Sequence, residues 1–312
     1  MAEPMKAVRI HAYGGADTLT LERIDVPVPA ANEVLVRIKA ASVNPIDWKV
    51  REGDLQDALK HHLPLTLGWD FAGEIAAVGS DVTDWQPGDA VYARPEITRD
   101  GTYAEYITVN ASEIAAKPNT ADWQTAAAIP LVTLTAWQSL FDIAKLEGGQ
   151  SVLVHAGAGG VGAAAIQLAK NAGARVFTTC SSANVDYVKS LGADEIIDYT
   201  KTDFSNLRDI DVVLDTLGGE VLQNSWSVLK PGGMLVSIVD TPSEDIAETK
   251  RVKAAFWFVQ PKSEQLAKIA TLFDEGKLKV NIDSVFKLES IADAHARSES
   301  GRVRGKVVVE ID

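Results

Sequence analysis

His155-Ala156-Gly157-Ala158-Gly159-Gly160-Val161-Gly162 is the stretch on which the reading of this chain turns. Immediately before it, Ser151-Val152-Leu153-Val154-His155-Ala156 has the composition of a buried strand, and after it Val161–Asn171 has that of a helix stopped by Gly173. Gly157, Gly159 and Gly162 fit the G-x-G-x-x-G spacing of a dinucleotide-binding turn. In that turn the first glycine permits the tight exit from the strand. The second lets backbone approach a pyrophosphate, and the third lets the helix pack closely on the sheet. Free N–H groups of this turn, which also contains Ala158, Gly160 and Val161, are then placed at the positive end of the helix dipole to hold phosphate.

Working outward, strands and helices alternate. Arg175–Cys180, Glu195–Asp198, Asp211–Asp215, Met234–Val239 and Phe256–Val259 read as further strands, with helices over 183–191 and 219–229 between them. This rhythm predicts a doubly wound parallel sheet of six strands, a Rossmann domain, over 121–283. Residues 1–120 differ. Short alternating runs such as Ala7–Ile10, Val34–Ala40 and Ala90–Ala93, broken by Pro and Gly turns, predict a small β-barrel. Lys306–Ile311 reads as an isolated last strand, and 284–312 is expected to complete that barrel. Helices are expected from Asp122 to Ala128 and from Thr133 to Ala144. The charged run 240–253 reads as a solvated loop and helix.

The end of the second strand bears on which nucleotide binds. NAD enzymes usually carry an acid there for the ribose 2′-OH. This chain has Thr179-Cys180-Ser181-Ser182, with hydroxyls and no acid, and Tyr199 follows the third strand. NADPH is therefore favoured over NADH, although no Arg or Lys stands directly after the strand. The serines can equally cap the next helix.

Bulk composition narrows the classes. The 312 residues are 46% apolar and 23% charged, the balance of an ordinary soluble protein. The net charge of −13 argues against nucleic acid and anionic membranes as partners. No apolar run reaches the roughly 18–20 residues of a membrane span. The N-terminus lacks the apolar stretch of a signal peptide, so a cytoplasmic location is expected. Cys180 is the sole cysteine, which excludes an internal disulfide and any multi-cysteine zinc site.

Several segments in fixed order resemble the medium-chain dehydrogenase/reductase superfamily, in its zinc-free quinone oxidoreductase (zeta-crystallin-like) branch. They are 41–49 (Ala-Ser-Val-Asn-Pro-Ile-Asp-Trp-Lys), 67–73, 85–91, 101–106, the glycine motif, 190–194 and 302–308. The resemblance implies a GroES-like barrel followed by a Rossmann domain. Where zinc alcohol dehydrogenases carry Gly-His-Glu this chain has Gly68-Trp69-Asp70, and the catalytic and structural cysteines are absent. No zinc and no other metal is expected. Reduction of a plain ketone makes an alkoxide that needs a metal or a nearby acid, whereas a quinone or an enone delocalises the charge. The implied activity is hydride transfer from NADPH to a quinone or an α,β-unsaturated carbonyl. An enoyl-thioester or 2-alkenal reductase is the alternative on the same scaffold, and an NADPH-binding sensor the alternative outside enzymes.

By the same resemblance, Asn44 and Thr133 meet the nicotinamide end of the cofactor. Leu217, Gly218, Phe256 and Phe258 line it, and Arg304 and Lys306 contact it where the chain returns. Each has a structural alternative: an Asx-turn for Asn44, a helix cap for Thr133, sheet core or a dimer edge for the aromatics, a solvated strand end for Lys306. Asn44, Asp47, Trp48, Trp69 and Asp70 are the candidates for the substrate cleft, the tryptophans because flat faces suit flat acceptors. No residue is assigned as the proton donor. A homodimer through the sixth strand is expected, because an apolar sheet edge is otherwise exposed.

Overall fold

A computed structural model describes residues 4–311. They divide into two units: one takes residues through Leu131, Pro261–Gly276 and Val280 onward, the other Val132–Gln260 and Lys277–Lys279.

The first unit opens with β1 (Met5–Ile10), β2 (Thr20–Ile24) and β3 (Glu33–Val43). Helix α1 (Pro45–Glu52) follows. Pro45 fills its first turn, Asp47 accepts from the Asn44 N–H at 2.7 Å, and Gly53, at φ 90°, ends it. Then come β4 (Leu65–Thr66), β5 (Phe71–Val78), β6 (Ala90–Ala93), β7 (Tyr106–Asn110) and β8 (Ala115–Ala116). Strands β2-β1-β4 form a small antiparallel sheet. The long strand β3 pairs with β5 and β7, and β5 continues to β6 and β8. Helix α2 (Trp123–Ala127), capped by Asp122 through the Thr125 N–H at 2.7 Å, belongs to this unit.

The boundary expected at 120 thus falls later, inside α3 (Pro130–Trp137). The reason lies in packing: α2 sits on β3 and β5, and the Leu131 N–H donates to buried Asp70 at 2.7 Å.

The second unit carries a six-stranded parallel sheet. Its strands are β9 (Ser151–Val154), β10 (Arg175–Cys180), β11 (Glu195–Asp198), β12 (Ile210–Asp215), β13 (Leu229–Ser237) and β14 (Lys253–Phe256), in the order 11-10-9-12-13-14. Counted within the sheet this is 3-2-1-4-5-6, the doubly wound order that reverses beside β9. Helices α4 (Gly160–Asn171), α5 (Val185–Ser190), α6 (Gly219–Ser225) and α7 (Glu244–Lys250) connect the strands.

The sixth strand lies earlier than the expected Phe256–Val259. Arg251 ends α7 in the left-handed region and β14 starts at once, with Lys253 against Met234. Beyond it, Gln138 fixes the chain instead, its side-chain oxygen accepting from Trp257 Nε1 (3.0 Å) and Gln260 N (2.9 Å).

Helix α8 (Ser263–Asp274) returns to the first unit, where Tyr92 donates to the Leu266 carbonyl at 2.6 Å. There β15 (Ile282–Lys287), α9 (Ile291–Glu299) and β16 (Lys306–Glu310) complete the large sheet. Strand β16 pairs antiparallel with β3, Val307 facing Val43. The C-terminal strand thus lies within the large sheet of the first unit.

Candidate functional site

The turn between β9 and α4 is shaped by sterics that differ from one glycine to the next. A Cβ on Gly157 would lie 2.0 Å from Thr178 Oγ1, and one on Gly162 would lie 2.3 Å from the Ala156 carbonyl oxygen. Both positions must be glycine for the protein's own packing. Gly159 is different: a Cβ there meets nothing closer than 3.4 Å, and its φ of −76° is ordinary. Nothing in the protein's own packing requires glycine at this position. The left-handed residue of the turn is Ala156, at φ 50°, while the first glycine clears Thr178.

Polar groups beneath the turn hold it. Thr179, expected to meet the cofactor, is buried, and its hydroxyl accepts from the Ala156 N–H at 3.1 Å and meets His155 Nδ1 at 3.2 Å. His155 Nε2 lies 2.9 Å from Ser225 Oγ, and burial lowers its pKa to about 4, so the ring is neutral. After β12, the Asp215 carboxylate accepts from the N–H groups of Leu217 (3.1 Å) and Gly218 (3.0 Å). That leaves Leu217 half-exposed beside the sheet's C-terminal end. Thr133 lies buried within α3, not at its start, because Pro130 opens the helix. Phe256 is exposed at the end of β14, and Phe258 is half-buried beyond it.

At the end of β10 the structure adds a group that the sequence did not place. Asp198, on β11, stands beside Cys180 in the parallel register, and its carboxylate accepts from Ser182 Oγ. The expectation of no acid near this end is therefore corrected. The acid comes from the next strand, 16 residues on from Ser182. Tyr199 is exposed, as is Ser182, while Ser181 is half-buried.

In the barrel unit, three of the substrate-cleft candidates, Asn44, Asp47 and Asp70, lie in one buried cluster. Lys306 Nζ donates to the Val43 carbonyl (3.2 Å), to Asn44 Oδ1 and to Asp70 Oδ2 (3.3 Å). Asp70 also accepts from Ser42 Oγ at 2.7 Å and from Asn44 Nδ2 at 2.8 Å. Tyr103 donates to Asp47 at 2.6 Å. Burial pushes the Asp70 carboxyl up and the Lys306 ammonium down, and each charge pulls the other back toward ionisation. Asp47 is pushed up to about 7 by burial, against the bonds from Tyr103 and the Asn44 N–H. Behind Tyr103, its ring 5.6 Å from that of His295, Arg51 donates to His295 Nδ1 (3.1 Å) and Glu299 (2.8 Å). Ser42, Tyr103, Arg51 and His295 were absent from the sequence-based candidates. Tyr103 lay in a quoted segment, but its pairing with a residue 56 positions away has no local signal.

The two tryptophans differ. Trp48 is half-buried, with Lys49 Nζ 5.7 Å from its ring. Trp69 is fully buried and one face is taken by His61, whose ring centroid lies 5.8 Å away, so it offers no open face to a flat acceptor. Arg304 is exposed, its N–H bonded to Asp283 at 3.1 Å. Among the described residues, no group of three or more His, Cys, Asp or Glu is arranged to hold a metal ion, and no helix is long and apolar enough to cross a membrane.

Comparison with known proteins agrees with this layout. Residues 30–119 match the alcohol dehydrogenase GroES-like domain, and 191–309 match a family described as zinc-binding dehydrogenase. The chain is 35% identical to a chloroplast envelope quinone oxidoreductase homolog of Arabidopsis thaliana, across 98% of each. It is 36% identical to an NADPH-dependent alkenal/one oxidoreductase of the same plant, across 98% of this chain and 79% of that one. The structure of a quinone oxidoreductase from Coxiella burnetii superposes with a TM-score of 0.92 at 35% identity, covering 99% of this chain and all of the other. The chain belongs to the medium-chain dehydrogenase/reductase superfamily, in its quinone oxidoreductase-like branch.

Proposed function

We propose that this protein is a reductase that draws hydride from NADPH and delivers it, without a metal, to a quinone or an α,β-unsaturated carbonyl compound. The observation that carries the reading is the unforced glycine at position 159. Gly157 and Gly162 answer to the protein's own packing, whereas Gly159 leaves room that a pyrophosphate fills. The N–H groups of Gly160, Val161 and Gly162 open α4 and, as at any helix start, have no carbonyl one turn back. The alkenal/one relative supports NADPH by its name, and quinone oxidoreductases among the relatives support the acceptor class.

A bound reduced nicotinamide supplies the hydride. What this chain supplies is a fixed phosphate cradle, a neutral His155 beneath it, and a barrel cluster in which Lys306 balances the charge of Asp70 internally. Metal-free chemistry is supported by the residue types: a tryptophan stands at 69, and the sole thiol, Cys180, closes a strand of the nucleotide unit. Acceptors that delocalise charge suit such a site, because no Lewis acid is needed to hold an alkoxide. Two copies are proposed to pair along β14, an edge strand of the parallel sheet.

The test is NADPH oxidation by purified protein against a panel of quinones, enals and simple ketones. Turnover of quinones or enals and none of plain ketones is expected. Turnover of ketones alone, or stoichiometric zinc by elemental analysis, overturns the proposal. NADPH binding without turnover of any acceptor points to a sensor instead.

A further inference from the structure

Four donor groups converge on one carboxylate at the C-terminal end of the parallel sheet. Asp198 Oδ1 accepts from Thr200 Oγ1 at 2.7 Å and from the Thr200 N–H at 3.1 Å, and Oδ2 accepts from Ser182 Oγ and lies 3.0 Å from Lys201 Nζ. Two hydroxyls, a backbone N–H and an ammonium are the donor set that a phosphate monoester takes. Their place in the fold is specific. Ser182 stands about 20 residues beyond the glycine turn, just past the second strand of the sheet, where a Rossmann domain meets the ribose 2′ position. Parallel pairing of Cys180 with Asp198 brings the carboxylate to that position from the neighbouring strand.

We infer that Asp198 is an internal occupant of the 2′-phosphate cradle, engaging Ser182, Thr200 and Lys201 in place of the phosphate and so holding down the preference for NADPH over NADH. The inference rests on the glycine turn being a nucleotide site. Its donors hold the Asp198 carboxyl well below the usual carboxylate range, so it is anionic across the working pH range. For NADH, the same carboxylate is an acceptor for the ribose 2′-OH. For NADPH, the incoming phosphate meets a fixed negative charge and must take the donors from it. A neutral side chain at 198 frees Thr200 and Lys201 for the phosphate and removes the repulsion.

The experiment is calorimetric titration of wild type, Asp198→Asn and Asp198→Ser with NADPH and NADH, and with 2′,5′-ADP and 5′-AMP as fragments carrying only the adenosine end. None of these readouts depends on turnover. The ratio Kd(NADH)/Kd(NADPH) is expected to rise about tenfold in both variants, through tighter NADPH, with the same shift between the two fragments. An unchanged or lower ratio in both variants overturns the inference, since Asp198 would then be neutral toward the phosphate or would organise the donors for it. If wild type takes up neither dinucleotide, the nucleotide reading itself fails. Binding of both with an unmoved ratio sinks only the role of Asp198.

Discussion

The turn between β9 and α4 is made of backbone from one contiguous stretch, whereas the cluster around Asp70 is made of side chains from β3, α1, the start of β5 and the last strand. The first is closed by sterics, with contacts near 2 Å awaiting any Cβ at Gly157 or Gly162. The second is closed by charge and hydrogen bonds among buried side chains. The contrast teaches that similar burial conceals different failure modes. The turn breaks when an atom is added, and the cluster breaks when a partner is removed.

The sharpest break should come from Gly162→Ala. Its Cβ would meet the Ala156 carbonyl at 2.3 Å and Gly157 Cα at 2.8 Å, both backbone. A loss of more than about 3 kcal/mol in urea unfolding, or no folded protein, is expected, in the range of a badly overpacked core site. Gly159→Ala sharpens the same comparison. Its stability should move by less than about 1 kcal/mol, the scale of a helix-cap change, while calorimetry shows nucleotide affinity falling at least about tenfold. Equal effects at the two positions would mean that Gly159 also serves packing.

In the cluster, Lys306→Met leaves Asp70 buried without its cation. A loss of about 3–5 kcal/mol is expected, as for breaking one side of a buried pair, with much of it recovered in the Asp70→Asn, Lys306→Met double variant. Chemical denaturation of the four proteins of the cycle measures it. Additive losses would show that the two charges do not depend on each other.

A smaller effect separates titrations that oppose one another. Asp47 is raised from 3.8 to about 7 in the fold, so its contribution to stability is present at low pH and is lost as pH rises toward about 7. His155 is lowered from 6.5 to about 4, so its contribution is present above 6.5 and is lost as pH falls through about 4. Removing the first with Asp47→Asn should make stability rise more steeply with pH between those limits than in wild type. Urea midpoints across that range test it, and a shallower rise would mean that Asp47 is ionised in the fold.

How much was legible follows from the same division. The β9–α4 turn, the parallel rhythm and β16 as a last strand were readable, because each is written in local periodicity or in a short motif. The sixth strand was displaced because Trp257 and Phe258 look like strand core, yet Gln138, more than a hundred residues earlier, pins that segment. Trp69 looked like an acceptor platform because its identity was visible and its cover, His61, was not.

By itself the sequence determined the doubly wound sheet, the glycine turn between β9 and α4 and the lack of an acid directly after β10. Those features depend on neighbours along the chain, where φ, ψ and the missing Cβ act at short range. Only the tertiary structure decided that Asp198 supplies the acid after all, that Lys306 answers Asp70, and that Asp47 answers Tyr103. Charge and hydrogen bonding act through space in a medium of low polarisability, so their partners are chosen by register and burial and leave no trace in the spacing of residues.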